Sequence, residues 1–208
     1  MMSKKYTKHR SKHTIYFYSF KNACQIWCES NLERSYALSL EFDDSVLRYA
    51  SQPESFEVYG RTYTPDFLVE YRSGRAQYTE VKHTHFVNDE FRRLHPLREE
   101  VIRQLTGLPL QLVTDAEIDQ VVKDNQDLLL PFRSTDISAL IPLLNDLPQT
   151  LSLLKLEAIL TMLKGFERSH AWALLAHQYF HFDMRTPLSP YTVLVKVYPC
   201  TLQRWVIY

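Results

Sequence analysis

Between Asp66 and Glu80 the apolar positions follow a period of two. Phe67, Val69 and Tyr71 alternate with polar partners, Tyr78 and Val81 do so less cleanly, and Ser73-Gly74 interrupts the run. The pattern predicts strand, turn, strand, with glycine supplying the positive φ of a tight connection. Upstream, Leu32, Tyr36, Ala37 and Leu40 recur at helical spacing, so residues 31–42 read as a helix. Ser30 or Asn31 caps it, and Asp43-Asp44 ends it. Residues 16–20 read as a strand, and 46–60 as a strand interrupted at Pro53. Downstream, Asn88 caps a helix through Leu94, Pro96 kinks or restarts it, and a second helix runs from there to Thr106 with Gly107 as its stop. A strand over 108–114 and a helix over 115–129 follow. Hairpin, helix, strand, helix is the order of an α/β layer arrangement.

A break falls near Pro131 to Thr135. Beyond it, helical segments near Asp136–Leu147, Leu151–Phe166 and Arg168–Tyr179 are separated at Pro148 and Gly165, and residues 181–197 lean towards strand. The expected division is therefore a basic arm and first strand over 1–28, an α/β domain over 29–130, and a mostly helical domain over 136–208. The run AWALLAHQYF has the apolar face of a core helix and few basic residues, whereas a helix that reads DNA carries Arg, Lys or Asn at exposed positions. A protein-docking or supporting role suits this half better. The segment TLQRWVIY at 201–208 is unusually apolar, and either docks onto the domain or binds a partner.

The hairpin also concentrates chemistry. Asp66 starts one strand, and Glu80 and Lys82 lie near the end of its neighbour. Being two apart, Glu80 and Lys82 share a face. Two carboxylates and an ammonium aimed at one point suit a hard divalent cation beside a catalytic lysine. Blander accounts exist for each residue: a Pro-Asp pair is a common turn, an E-x-K on a strand is a common solvated edge, and a carboxylate at Glu33 is favoured by the dipole of its helix.

The arrangement Pro65-Asp66 followed by Glu80-Val81-Lys82 resembles the PD-(D/E)xK nuclease signature. The wider run, ESNLERSYALSLEFDDSVLRYASQP, then RTYTPDFLVE, then TEVK, resembles the TnsA-type endonucleases of heteromeric transposition systems. The resemblance covers the first half of the chain. It implies a restriction-endonuclease-like α/β core with a second, mostly helical winged-helix-like domain. It implies catalytic roles for Glu33, Asp66, Glu80 and Lys82, and Mg²⁺ (or Mn²⁺ in its place) held by Glu33, Asp66, Glu80 and the Val81 carbonyl. Family members also carry Gln at the position of Glu80. The activity implied is cleavage of double-stranded DNA at the 5′ ends of a transposon. The partners implied are a TnsB-type transposase, which cuts and joins the other strand, and a TnsC-type AAA+ ATPase. The rivals are a stand-alone restriction or repair nuclease of the same core, and a non-catalytic DNA- or protein-binding module with a degenerate core.

Composition adjusts this picture little. The 208 residues carry 24 basic and 24 acidic side chains, so net charge announces no nucleic-acid partner. Distribution says more, because no acidic residue precedes Glu29 while Lys4, Lys5, Lys8, Arg10, Lys12 and Lys21 do. That arm is either a phosphate contact or a solvating terminus. Arg92, Arg93, Arg98 and Arg103 either reach a DNA backbone or pair with Glu99 and Glu100. Three cysteines, a Lys-rich start and no long apolar run point to a soluble protein of the reducing cytoplasm. His9, His13, Cys24 and Cys28 form two i, i+4 pairs, but the intervening strand pattern argues against a structural zinc, and none is expected. His83 and His85, just after the hairpin, either touch metal or phosphate or are simply polar surface, the commoner role of a lone His near a strand end.

Overall fold

The computed structural model describes residues 14–197. It divides into two compact units between Glu117 and Ile118.

The first unit opens with an antiparallel hairpin, β1 (Ile15–Ser19) and β2 (Cys24–Cys28). Sequence reading anticipated only the first of these strands. In β2, Ile26 and Cys28 bury alternate positions, as a strand does. Helix α1 (Asn31–Phe42) starts at Ser30, whose hydroxyl accepts a hydrogen bond from the Glu33 amide at 3.1 Å, and it ends at Asp43. It buries Tyr36, Ala37, Leu38 and Leu40. Then come β3 (Val46–Ser51), β4 (Phe56–Val58), β5 (Arg61–Tyr63), β6 (Phe67–Tyr71) and β7 (Ala76–Lys82), followed by α2 (Asp89–Thr106) and β8 (Leu110–Thr114). Pro53 falls in the gap between β3 and β4.

The main sheet is mixed, in the order β3-β6-β7-β8, with β7 and β8 parallel and the other pairs antiparallel. β4 and β5 form a separate hairpin. Side chains of β7 alternate between two covered faces. Thr79 meets the Tyr36 hydroxyl of α1 at 3.2 Å, and Tyr36 packs edge-on to Phe67. On the opposite face Tyr78 joins Phe56, Val58, Ile102 and Leu110 in a core built with the β4–β5 hairpin and α2. Glu80 and Lys82 share that second face with Tyr78.

Helix α2 runs unbroken through Pro96 and does not restart there. A proline removes one backbone bond, here to the Arg92 carbonyl, and Arg92, Arg93 and Pro96 are all exposed. Tertiary packing of Phe91 and Ile102 holds the two halves in one helix. Gly107 adopts φ 75° and its amide donates to the Arg103 carbonyl, which closes the helix as its sequence position predicts.

The second unit contains α3 (Gln120–Leu129), β9 (Thr150–Ser152), α4 (Leu153–Met162), α5 (Arg168–Ala176), β10 (Phe180–His181) and β11 (Val193–Lys196). Its three strands pair antiparallel in the order β10-β11-β9. The division falls earlier than the boundary expected near Pro131 to Thr135, because α3 is tied to this unit. The buried Asn125 side chain donates to the Met184 and Thr186 carbonyls at 2.9 and 2.8 Å and accepts from the Leu188 amide at 3.0 Å. Residues 136–147 contain a short 3₁₀ segment, Ile141–Asp146, rather than the α-helix expected. With Pro142 near its start and Pro148 just beyond its end, too few residues remain to propagate an α-helix. Leu151, expected in a helix, lies in β9. Buried Lys196 donates to the Leu144 and Leu147 carbonyls at 2.8 and 2.6 Å, so a cation satisfies the end of that segment. Among the described residues no helix is long and apolar enough to cross a membrane.

Candidate active site

Strand β7 outruns β6. The last β6–β7 pair is Phe67 with Thr79, whereas the β7–β8 ladder continues to Lys82 with Thr114. Glu80, Val81 and Lys82 are thus held in the sheet from the β8 side alone. On the open side stands Asp66, immediately before β6, whose Oδ2 accepts the Val81 amide at 2.7 Å. The N–H and C=O of a strand residue share an edge, so the Val81 carbonyl lies on the Asp66 side too. Asp66 Oδ1 accepts no hydrogen bond from the described residues. Burial, then the charge of Glu80, and to a lesser degree that of Glu33, push the Asp66 carboxyl up to about 8 against the pull of the Val81 amide and Lys82.

Glu80 is buried. Its Oε2 accepts from the Tyr63 hydroxyl, and its Oε1 lies 3.7 Å from Lys82 Nζ and 3.8 Å from Arg98 Nη1. Burial and the neighbouring carboxylate hold the Tyr63 hydroxyl well above its usual range. Two cations each rest on an aromatic face. Lys82 Nζ is 5.0 Å from the centroid of Phe91, and Arg98 Cζ is 4.3 Å from that of Tyr63. Phe91 in turn stacks on His95 at 5.2 Å. Burial pushes the His95 imidazole down, and its Nδ1 is buried without a hydrogen-bond partner.

Glu33 enters differently. Its Oε2 accepts the Glu29 amide at 2.7 Å and its Oε1 accepts the Ser30 hydroxyl at 2.9 Å, which closes the helix start reciprocally. Its charge is felt at Asp66, and also at Cys28, whose thiol is pushed up to about 12, first by burial and then by Glu33. The structure therefore brings Asp66, Glu80, Val81 and Lys82 together at the strand ends. Glu33 stands near enough to act through its field, with both oxygens engaged at its own helix start.

No protein-family model matches the chain, and no curated protein matches it significantly.

The donor set is made of oxygens, which suits a hard cation. Among the described residues no three His, Cys, Asp or Glu side chains converge as a metal-holding group. Two carboxylates and a strand carbonyl remain, and Mg²⁺ is ordinarily held by one or two carboxylates while it keeps several waters. An Asp66 carboxyl raised first by burial and then by its acidic neighbours, with one oxygen free of donors among the described residues, fits a place where positive charge is wanted. Of the candidate zinc set, Cys24 is exposed and Cys28 buried on β2, while His9 and His13 lie outside the described residues.

The remaining candidates divide. His83 pairs with Asp115 at 3.2 Å, and the exposed His85 donates its amide to the His83 ring. Arg92 lies 3.6 Å from Asp89 and Arg103 pairs with Glu99, so both belong to the solvated face of α2, while Arg98 reaches the site. The arm from Lys4 to Lys12 and the segment 201–208 lie outside the described residues; Lys21 donates to the Val46 carbonyl at 3.0 Å. Tyr63 and His95 were not anticipated as site residues, and Arg98, expected to reach a DNA backbone or pair with Glu99 and Glu100, instead meets Glu80. Phe91, His95 and Arg98 recur at i, i+4 and i+7, the spacing of one helical face, and that was the available signal.

Proposed function

We propose that this chain is a divalent-cation-dependent DNA endonuclease that cleaves the 5′ ends of a transposon together with a TnsB-type transposase and a TnsC-type AAA+ ATPase. One observation carries the reading: Asp66 bonds the Val81 amide where β7 outruns β6, with Glu80 and Lys82 on the adjoining positions. This proximity supports reading Pro65-Asp66 and Glu80-Val81-Lys82 as a PD…ExK site. A mixed sheet flanked by α1 and α2 supports a restriction-endonuclease-like core. The small antiparallel sheet beside α4 and α5 supports a winged-helix-like second domain.

Asp66, Glu80 and the Val81 carbonyl would hold Mg²⁺, with Glu33 adding negative charge from its helix start. When bound, the cation lowers the pKa of water and polarises a phosphate oxygen. The protein's own groups do the rest. Lys82 orients the attacking water and offsets charge on the phosphorus as the new P–O bond forms and the bond to the departing oxygen breaks. Arg98 and Tyr63 fix the Glu80 carboxylate, so that it meets the substrate already oriented. Phe91 supports the Lys82 ammonium from below and limits its hydration.

Partner dependence follows from the second unit. Helix α5 buries Ala171, Ala173, Leu174, Leu175 and Ala176, which leaves little helix surface to enter a DNA groove. Val193 and Val195, on one face of β11, are exposed together with Tyr191. Such a surface suits protein contact better than base reading. Cleavage at transposon-end substrates, with and without the transposase and the ATPase, tests the reading. Cutting should become site-specific only with the partners. Sequence-specific cutting by the isolated chain at moderate salt would favour the stand-alone nuclease.

A further inference from the structure

We propose that the cleft between the β4–β5 hairpin and the first half of α2 seats a single-stranded DNA segment, with Tyr59 stacked on a base and Arg61 and Arg93 on phosphates. The cleft has a volume of ≈ 320 Å³, and Val58, Tyr59, Arg61, Tyr63, Arg93 and Arg98 are among its lining residues. That is the small end of the roughly 300–1,000 Å³ of ligand sites, room for a nucleotide unit rather than a folded partner.

Its charge is one-sided. Three arginines line it, and Glu90 is the acidic residue facing them. The Arg61 and Arg93 residues are exposed, and their side chains make no hydrogen bond or ion pair among the described residues, unlike those of Arg92 and Arg103 on the same helix as Arg93.

The hairpin tip supplies an independent observation. Tyr59 and Gly60 form a two-residue turn with φ of 49° and 76°, the geometry of a type I′ connection. Asn, Asp or Gly is the favoured first residue there. A tyrosine is strained in that backbone, yet the residue is 75% exposed, so packing within the chain does not account for it. The hairpin itself is rigidly seated, because Phe56 and Val58 are buried in the core beneath it. A strained, projecting aromatic on a fixed arm beside unpaired arginines combines a stacking platform with phosphate contacts, the two components of single-strand binding. An acidic peptide would use the arginines but not the ring.

The cleft also adjoins the carboxylates. Tyr63 and Arg98 line it, and both contact Glu80. A strand lying here would pass directly to the scissile position, so the inference rests on the endonuclease reading for its purpose, though not for its test.

The test is binding of a fluorescein-labelled oligothymidylate to the full chain, by anisotropy, in chelator and across a salt series. Single-strand affinity falls with salt by about 0.7 log units per phosphate contact, so R61A/R93A should flatten the slope by about 1.4. Tyr59→Asn suits the turn and removes the ring. It should weaken binding about five-fold or more at unchanged slope, while the melting temperature holds or rises. Wild-type affinity and slope in both variants, no binding by the wild-type chain, or displacement by polyglutamate as effective as by unlabelled oligonucleotide would each overturn the proposal. Metal-dependent cleavage by the wild-type chain, with variants that bind normally, would sink the cleft alone. Loss of binding in the variants, with no cleavage by the wild-type chain even when Mg²⁺, the transposase and the ATPase are supplied, would sustain the cleft and remove the endonuclease reading.

Discussion

Asp66 carries the site and gives it a pH signature. Its carboxyl is raised in the folded chain to about 8 from an ordinary 3.8, so between those values the folded state holds a proton that the unfolded state has lost. Stability must therefore fall as pH rises through that window. In chelator, the melting temperature of the wild-type chain should decline from pH 5 to pH 8, and Asp66→Asn should flatten the decline; a flat wild-type profile would contradict this. A second carboxylate, Glu41, ties the first hairpin to α1 and β3. Fully buried, it accepts from the Ser19 hydroxyl at 2.7 Å, the Phe20 amide at 3.0 Å, the Lys21 amide at 3.1 Å and the Tyr49 hydroxyl at 2.9 Å. Glu41→Ala strands these donors and should cost about 3 kcal/mol in denaturant unfolding. Nothing local in the sequence distinguishes Glu41 from a solvated helix residue, because its partners lie 20 to 22 residues upstream at Ser19, Phe20 and Lys21 and 8 residues downstream at Tyr49. Asp66, Glu80 and Lys82 were legible because one hairpin brings them together, at a spacing that strand geometry converts into a shared face. Tyr63 and Arg98 were not, since they reach Glu80 across tertiary contacts.

Elements with regular periodicity and strong caps were the readable ones. Helix α1 begins at Ser30 and ends at Asp43, and the β6–β7 hairpin turns at Gly74, as their sequences predict. Helix α2 was misread at Pro96, where the local rule was applied without the packing of Phe91 and Ile102 that overrides it. Restoring the missing amide should help: Pro96→Ala is expected to stabilise the chain by about 1–2 kcal/mol, the helical gain of about 3 being partly offset by greater freedom in the unfolded chain. Denaturant unfolding with an unchanged m-value checks this, and a destabilised variant would show that Pro96 shapes the helix for packing. Residues 136–147 failed for the opposite reason, since their apolar spacing looks helical but the flanking prolines leave no length for it.

At the scale of the whole molecule, the chain is two compact units, each of mixed helix and strand. The composition shift near Pro131 drew attention to a boundary that Asn125 moves upstream by bonding to 184–188. Truncation after Glu117 should leave a unit that melts cooperatively, whereas truncation after Arg133 leaves α3 without its partners and should yield a protein more prone to proteolysis within 118–133. Equal protease resistance of the two fragments would contradict the assignment of α3. The most direct test of the central claim is divalent-cation-dependent cleavage of DNA by the full chain, supplemented with the transposase and the ATPase, comparing wild type with Asp66→Ala and Lys82→Ala proteins of matched circular dichroism. The account predicts cleavage that needs Mg²⁺ or Mn²⁺, stops on chelation, and falls by at least about a hundred-fold in either variant. Cleavage at the wild-type rate in Asp66→Ala, or a wild-type chain that neither cuts DNA nor binds the cation, would contradict it.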